Sequence, residues 1–187
     1  MEAGRQGLLK MIEERERGFL LENSRVIMKS SVENIEVGDY RIEKLAEGQS
    51  VELPRWVGEE LVSLNLAVLN EEPFEAELFR ALSKEKMMGM LQLSGLPQDF
   101  YFRMRRRLSF LTQALSEGKA KREEVDRLRA GSYDLIGMRL SKLLSLSSSS
   151  SQGSSLADRL TPEEDAFFSV SQSLSKEWRA ALLGSAT

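Results

Sequence analysis

The stretch Glu47–Val68, EGQSVELPRWVGEELVSLNLAV, decides the fold. Gly48 lets the backbone turn, and Val51 and Leu53 alternate as one face of a short strand. Pro54 suits the first helical position, where its missing N–H costs nothing and its fixed φ fits the helix. Trp56, Val57, Leu61 and Leu64 follow at one-face helical spacing, Asn65 is a stop, and Leu66, Ala67 and Val68 form a return strand. A helix this short does not hold itself together in water and must dock on a sheet. The spacing therefore predicts a small β-rich module carrying one helix.

Upstream, Val26 and Met28, then Val32, Ile35 and Val37, then Tyr40 and Ile42, are β-type residues in short runs, with Gly38-Asp39 and Glu47-Gly48 as turn signals. They predict three or four short strands between residues 25 and 53, so that residues 24–71 make a small β-rich domain. Residues 1–23 read as an amphipathic helix. Leu8, Leu9, Ile12, Phe19 and Leu20 form a narrow apolar stripe among interleaved acids and bases. Such a helix either covers part of the core or meets a partner.

Downstream of Pro73 the pattern is helical, and residues 72–187 are expected to form a helical domain. Phe74, Leu78, Phe79 and Leu82 start one helix, extended through Met87, Met88 and Leu91. Ser94 to Pro97 is a break. A second helix starts near Pro97, carries Phe100, Met104, Leu108, Leu111 and Leu115, and ends at Gly118. The third, Lys121 to Leu146, has two stripes. One is Val125, Leu128, Ser132, Ile136, Leu140 and Leu143; the other is Leu135, Met138 and Leu146, beginning near Tyr133. A helix apolar on two sides is either central in its own bundle or shared with another subunit. Gly131 and Gly137 mark places of close helix approach. A flexible Ser-rich loop over residues 147–155 follows. Thr161, Pro162 and Glu164 then form a capping box with proline at the first position, opening a helix whose face carries Phe167, Val170, Leu174, Trp178 and Leu182. The fold class is thus mainly α with a small β-rich domain, a helical bundle preceded by a short-stranded module.

Composition narrows the chemistry. The 187 residues contain no histidine and no cysteine, which removes the commonest general base, thiolate metal ligands and disulfides. No run approaches the roughly 18 apolar residues of a membrane span, and the opening residues lack the apolar core of a signal peptide. A soluble intracellular protein without cofactor or catalytic centre is expected. Glu59–Glu60, Glu71–Glu72, Glu123–Glu124 and Glu163–Glu164 sit at helix starts or on exposed helices, where carboxylates serve the helix dipole and solubility. No phosphate-binding glycine loop occurs, and Met87, Met88 and Met90 read as soft packing. Arg103, Arg105, Arg106 and Arg107 are the one concentrated basic patch, which either contacts nucleic-acid phosphates or pairs with neighbouring glutamates.

Several stretches together resemble a known family. V-E-L-P-R-W-V-x-E-E-L before a helical domain, Leu96-Pro97-Gln98-Asp99-Phe100-Tyr101, Ile136-x-x-Arg139-Leu140-x-Lys142, and Leu160 to Leu182 with its late Trp178-Arg179 are similar to subunits of the GINS DNA-replication complex. The β module precedes the helical domain, which resembles the archaeal-type, Psf-two/Psf-three-like arrangement. The resemblance implies a non-catalytic scaffold that assembles into a heterotetramer with another GINS subunit. It also implies association with the MCM helicase and a RecJ-like or Cdc-forty-five-like protein, and residence at the nucleoid in an archaeon or in the nucleus of a eukaryote. The second stripe of the long helix has no obvious use in a lone bundle, so Leu135, Met138, Arg139 and Lys142 are the expected partner interface. On that expectation, Leu135→Asp dissociates the assembly and leaves the helices intact. The alternative function is a nucleic-acid-binding adaptor using Arg103–Arg107.

Overall fold

The computed structural model describes residues 2–38, 40–148 and 156–184. The chain divides into two compact units, one spanning Met11–Glu72 and the other running from Pro73 onward together with the opening turns of α1 (Glu2–Leu21). Most of the Ser-rich loop expected at 147–155 lies outside the described residues, and α5 continues to Ser148.

In the smaller unit, β1 (Asn23–Met28) is the centre of a three-stranded antiparallel sheet in the order β4-β1-β5. β4 is Ser50–Pro54 and β5 is Ala67–Leu69, with Val26 opposite Val51 on one side and Leu69 on the other. β2 (Ile35–Val37) and β3 (Tyr40–Ile42) make a separate hairpin. Ser24, Val26 and Met28 alternate into the core, where α2 (Arg55–Ser63) closes the sheet with Val57 and Leu61. Pro54 belongs to the end of β4 and not to the helix, because its ψ of 137° keeps it extended opposite Asn23. Asn65 does end the helix, at a left-handed φ of 61° that lets the Leu66 N–H reach back to the Leu61 carbonyl at 2.9 Å. The end of α1 belongs to this unit: Phe19 is buried, and the Arg55 guanidinium lies 4.3 Å over its ring while pairing with Glu71.

The larger unit contains α3 (Phe74–Met87), α4 (Phe100–Ser116), α5 (Arg122–Ser148), a short 3-10 turn at Ala157–Arg159 and α6 (Pro162–Leu183). Its main core joins Phe74, Leu78, Phe100, Met104, Leu111, Val125, Leu128 and Leu135. A second cluster joins Leu93, Leu143, Leu146, Leu160 and Phe168. Gly131 is a close approach: a Cβ there would sit 3.2 Å from the Leu78 side chain, whereas Gly137 faces open space. α3 stops at Met87, earlier than its apolar pattern predicts, because Met88 turns extended and the Lys142 ammonium takes the Glu85 and Met88 carbonyls that another turn would use. α6 starts as its sequence predicts, with Thr161 and Glu164 closing a capping box and Pro162 in the first turn.

The long helix is rotated from the expected phase. Ser132, Leu135, Arg139, Lys142, Leu143 and Leu146 are buried, while Ile136 and Leu140, placed by sequence on the core stripe, are 40% exposed.

Gly58 offers a direct test of how α2 seats on the sheet. A Cβ at this position would lie 2.9 Å from Val26 Cγ1 and 3.1 Å from Ser24 Oγ, inside the strand core. Gly58→Ala is expected to destabilise the chain by about 1–3 kcal/mol in chemical denaturation despite alanine's better helix propensity. A stabilised variant would contradict this packing.

Candidate interaction surface and the charge network behind it

The least expected feature of the helical unit is a set of fully buried charges. Arg139, on α5, is 1% exposed. Its guanidinium donates from Nη1 to Glu85 Oε2 at 2.9 Å and to the Ser94 carbonyl at 2.8 Å. Nη2 donates to Glu164 Oε2 at 2.6 Å and to the Arg159 carbonyl at 3.3 Å, and Nε donates to Glu164 Oε1. Every N–H of the fork is used. One turn along, the Lys142 ammonium donates to Glu85 Oε1 at 2.7 Å and to the two carbonyls at the end of α3. Ser94 donates to Glu85 from both its N–H and its hydroxyl. The Tyr101 hydroxyl donates to Glu164 at 2.6 Å, and the Thr161 N–H to the same carboxylate at 3.0 Å. Two cations face two carboxylates, so the network is neutral as well as hydrogen-bonded, the condition under which charges survive burial.

The network sets its own ionisation. Burial pushes the Glu85 carboxyl up, but hydrogen bonds from Lys142 and Ser94 and the Arg139 charge outweigh it and hold Glu85 below its ordinary value. Burial, then the Glu164 charge, push the Tyr101 phenol far above its usual range, so it remains a donor.

The outer surface shows the opposite pattern. Val170, Leu174, Trp178 and Leu182 of α6 are all exposed, Trp178 by 64%. The face that α6 turns inward beyond Phe168 holds Ser171, Gln172 and Ser175, which are half-buried. α5 exposes Tyr133, Ile136, Leu140 and Leu144. α5 thus carries an apolar stripe directed away from its own core, and the last two turns of α6, exposed at every residue from Lys176 to Leu183, hold Trp178, Leu182 and Leu183 in solvent, the composition of an interaction surface.

The family model for the Sld5 GINS complex protein helical bundle domain matches residues 65–183. The chain belongs to the GINS family. No curated protein matches it. GINS is a DNA-replication complex, and the helical unit is its helical bundle domain, here preceded by a small antiparallel sheet.

Three of the four stretches that suggested GINS meet in one place. Arg139 and Lys142 come from the I-x-x-R-L-x-K stretch, Tyr101 from Leu96–Tyr101, and Thr161 and Glu164 from the opening of α6, and all of them join the same network. Three sequence-distant stretches are thus parts of one physical device. Glu85 and Ser94 were not singled out by sequence. The signal for Glu85 is its register, since Phe74, Leu78, Ala81 and Glu85 share the buried face of α3.

This placement changes the expected interface. Leu135 is fully buried in the main core, Met138 is partly buried against it, and Arg139 and Lys142 belong to the network. All four serve the chain's own bundle, so Leu135→Asp would unfold it and not merely separate subunits. The stripe that does face outward is Tyr133, Ile136, Leu140 and Leu144, a rotation of roughly a third of a turn away. The basic patch is partly consumed by α3, since Arg103 pairs with Glu77 and Arg107 with Glu75, each at 2.8 Å. Among the described residues no cluster of His, Cys, Asp or Glu suits a metal ion, and no helix is long and apolar enough to cross a membrane.

Arg139→Ala takes the ion-pair partner from buried Glu164 and one of two cations from Glu85, and should cost about 3–5 kcal/mol in chemical denaturation. Arg139→Lys is expected to recover little, since an ammonium cannot bridge Glu85 and Glu164 as a planar fork does. Because the folded pKa of Glu85 is lowered, its contribution is present above the ordinary value of 4.5 and fades as pH falls toward the depressed one. Glu85→Gln should flatten the acid limb of a stability-versus-pH curve. An unchanged limb would show that Glu85 is not the group being titrated.

Proposed function

We propose that this chain is a non-catalytic structural subunit of GINS that scaffolds and activates the replicative MCM helicase during DNA replication. The reading holds it in a heterotetramer with another GINS subunit. In that assembly it joins MCM and a RecJ-like or Cdc-forty-five-like protein, at the nucleoid of an archaeon or in a eukaryotic nucleus. The position of the sheet before the bundle favours the archaeal-type, Psf-two/Psf-three-like class. Membership of the family supports the GINS partner. The observation that carries the scaffold reading is the end of α6, where every residue from Lys176 to Leu183 is exposed, Trp178, Leu182 and Leu183 included. A helix built this way gains more by meeting another protein than by lying on its own bundle. Each large side chain moved from water to a partner contributes roughly 1.5–3 kcal/mol.

The expected outcome is specific. Co-expressed with GINS and helicase proteins of its source, the chain purifies in a complex whose mass exceeds that of the monomer by whole subunits. Leu174→Asp with Trp178→Asp returns it to the monomer mass in light scattering, with circular dichroism unchanged. A wild-type chain that stays monomeric beside every GINS subunit offered would sink the scaffold reading.

A further inference from the structure

Sulfur chemistry in this chain falls to methionine alone, since eight methionines stand beside no cysteine. Methionine is ordinarily a core residue, and the sequence reads Met87, Met88 and Met90 as soft packing. The structure places two of the three in solvent: Met87 is 88% exposed and Met90 70%, with Leu91, next in the chain, exposed as well. Met28 and Met104 are buried in the cores of their units, Met138 is partly buried against the main core, and Met11 and Met88 are half-buried. Among the described residues the accessible thioethers are therefore gathered in the stretch 87–90, at the end of α3.

The backbone of that stretch is held without the sulfur atoms. The Met88 N–H donates to the Lys84 carbonyl at 3.2 Å, and the Gln92 N–H donates to the Gly89 carbonyl at 3.0 Å. The Lys142 ammonium donates to the Glu85 and Met88 carbonyls. A Cβ added at Gly89 would meet nothing within 4 Å, so the turn has room around it. We propose that Met87 and Met90 form a reversible oxidation site, where a hydroperoxide turns an apolar patch polar while the bundle stays folded. With hydrogen peroxide, the sulfur lone pair attacks one oxygen, and an S–O bond forms as the O–O bond breaks. Sulfur gives up two electrons, and the proton on the transferred oxygen passes to the departing one, which leaves as water. Each event replaces a flexible apolar side chain by a polar, chiral sulfoxide. At Met28 or Met104 the same change would put that dipole into a closed core. At Met87 and Met90 it changes the surface alone.

The test exposes the full-length chain to dilute hydrogen peroxide and follows each methionine by peptide mass spectrometry. Met87 and Met90 are expected to oxidise at least about tenfold faster than Met28 and Met104. Circular dichroism and the urea midpoint should be unchanged once both are sulfoxides. The two methionine sulfoxide reductases, one for each epimer, should then return both sites to thioethers. Met87→Leu with Met90→Leu separates the site from general damage: this variant should keep the urea midpoint and show no sulfoxide at Met28 or Met104 at the same dose. Oxidation of Met28 or Met104 as fast as that of Met87 and Met90, a midpoint lowered by the first two events, or sulfoxides that the reductases leave in place would each overturn the proposal.

Discussion

The Arg139 guanidinium, buried between Glu85 and Glu164, is the constraint on which the helical unit depends. It ties α3 to the opening of α6 through α5, and Lys142 and Tyr101 extend the tie to the end of α3 and the start of α4. Burying four charges is costly, and an apolar cluster of equal volume is often no less stable. What the network supplies is geometry. A planar fork with five donors accepts few alternative packings, so the direction of α6 and the end of α3 are fixed together. The proposed scaffold role needs that definition, because a bundle that could slide in register would blur any surface it offers to another protein.

The same logic explains the distribution of apolar residues. A core that spends part of its inward face on Arg139, Lys142, Glu85 and Glu164 still encloses two hydrophobic clusters. Meanwhile Trp178, Leu174, Leu140 and Leu144 stand exposed. In the scaffold reading proposed above, that exposure serves contact with other chains of GINS. The capping box of α6 carries both roles, because Glu164 satisfies the helix start and the Arg139 fork with one carboxylate.

Much of this was legible from local pattern. Strand alternation around Val26 and Leu53, the brief α2 with its Asn65 stop, and the Thr161 cap all follow from short-range chemistry, and the structure contains them. The phase of α5 was not legible, and the reason is physical. Its buried face includes Arg139 and Lys142, so an apolar count drifts onto Ile136 and Leu140, which face solvent. The network itself was hidden because its members lie far apart in sequence and two, Glu85 and Ser94, belong to no motif. On α6 the apolar stripe was read correctly, but a stripe does not announce whether it faces the chain's own core. Here Phe167 packs against the core cluster, while α6 runs on past its neighbours and every residue from Lys176 to Leu183 is exposed.

Hydrogen exchange along α6 tests the central claim most directly, by comparing the chain alone with the chain in a purified GINS complex. The stripe's burial against another subunit predicts that amides from Ser169 to Leu183 exchange quickly in the free chain and markedly more slowly in the complex, while those around Arg139 are protected in both. Equal exchange along α6 in the two states, with protection gained on some other surface, would contradict it.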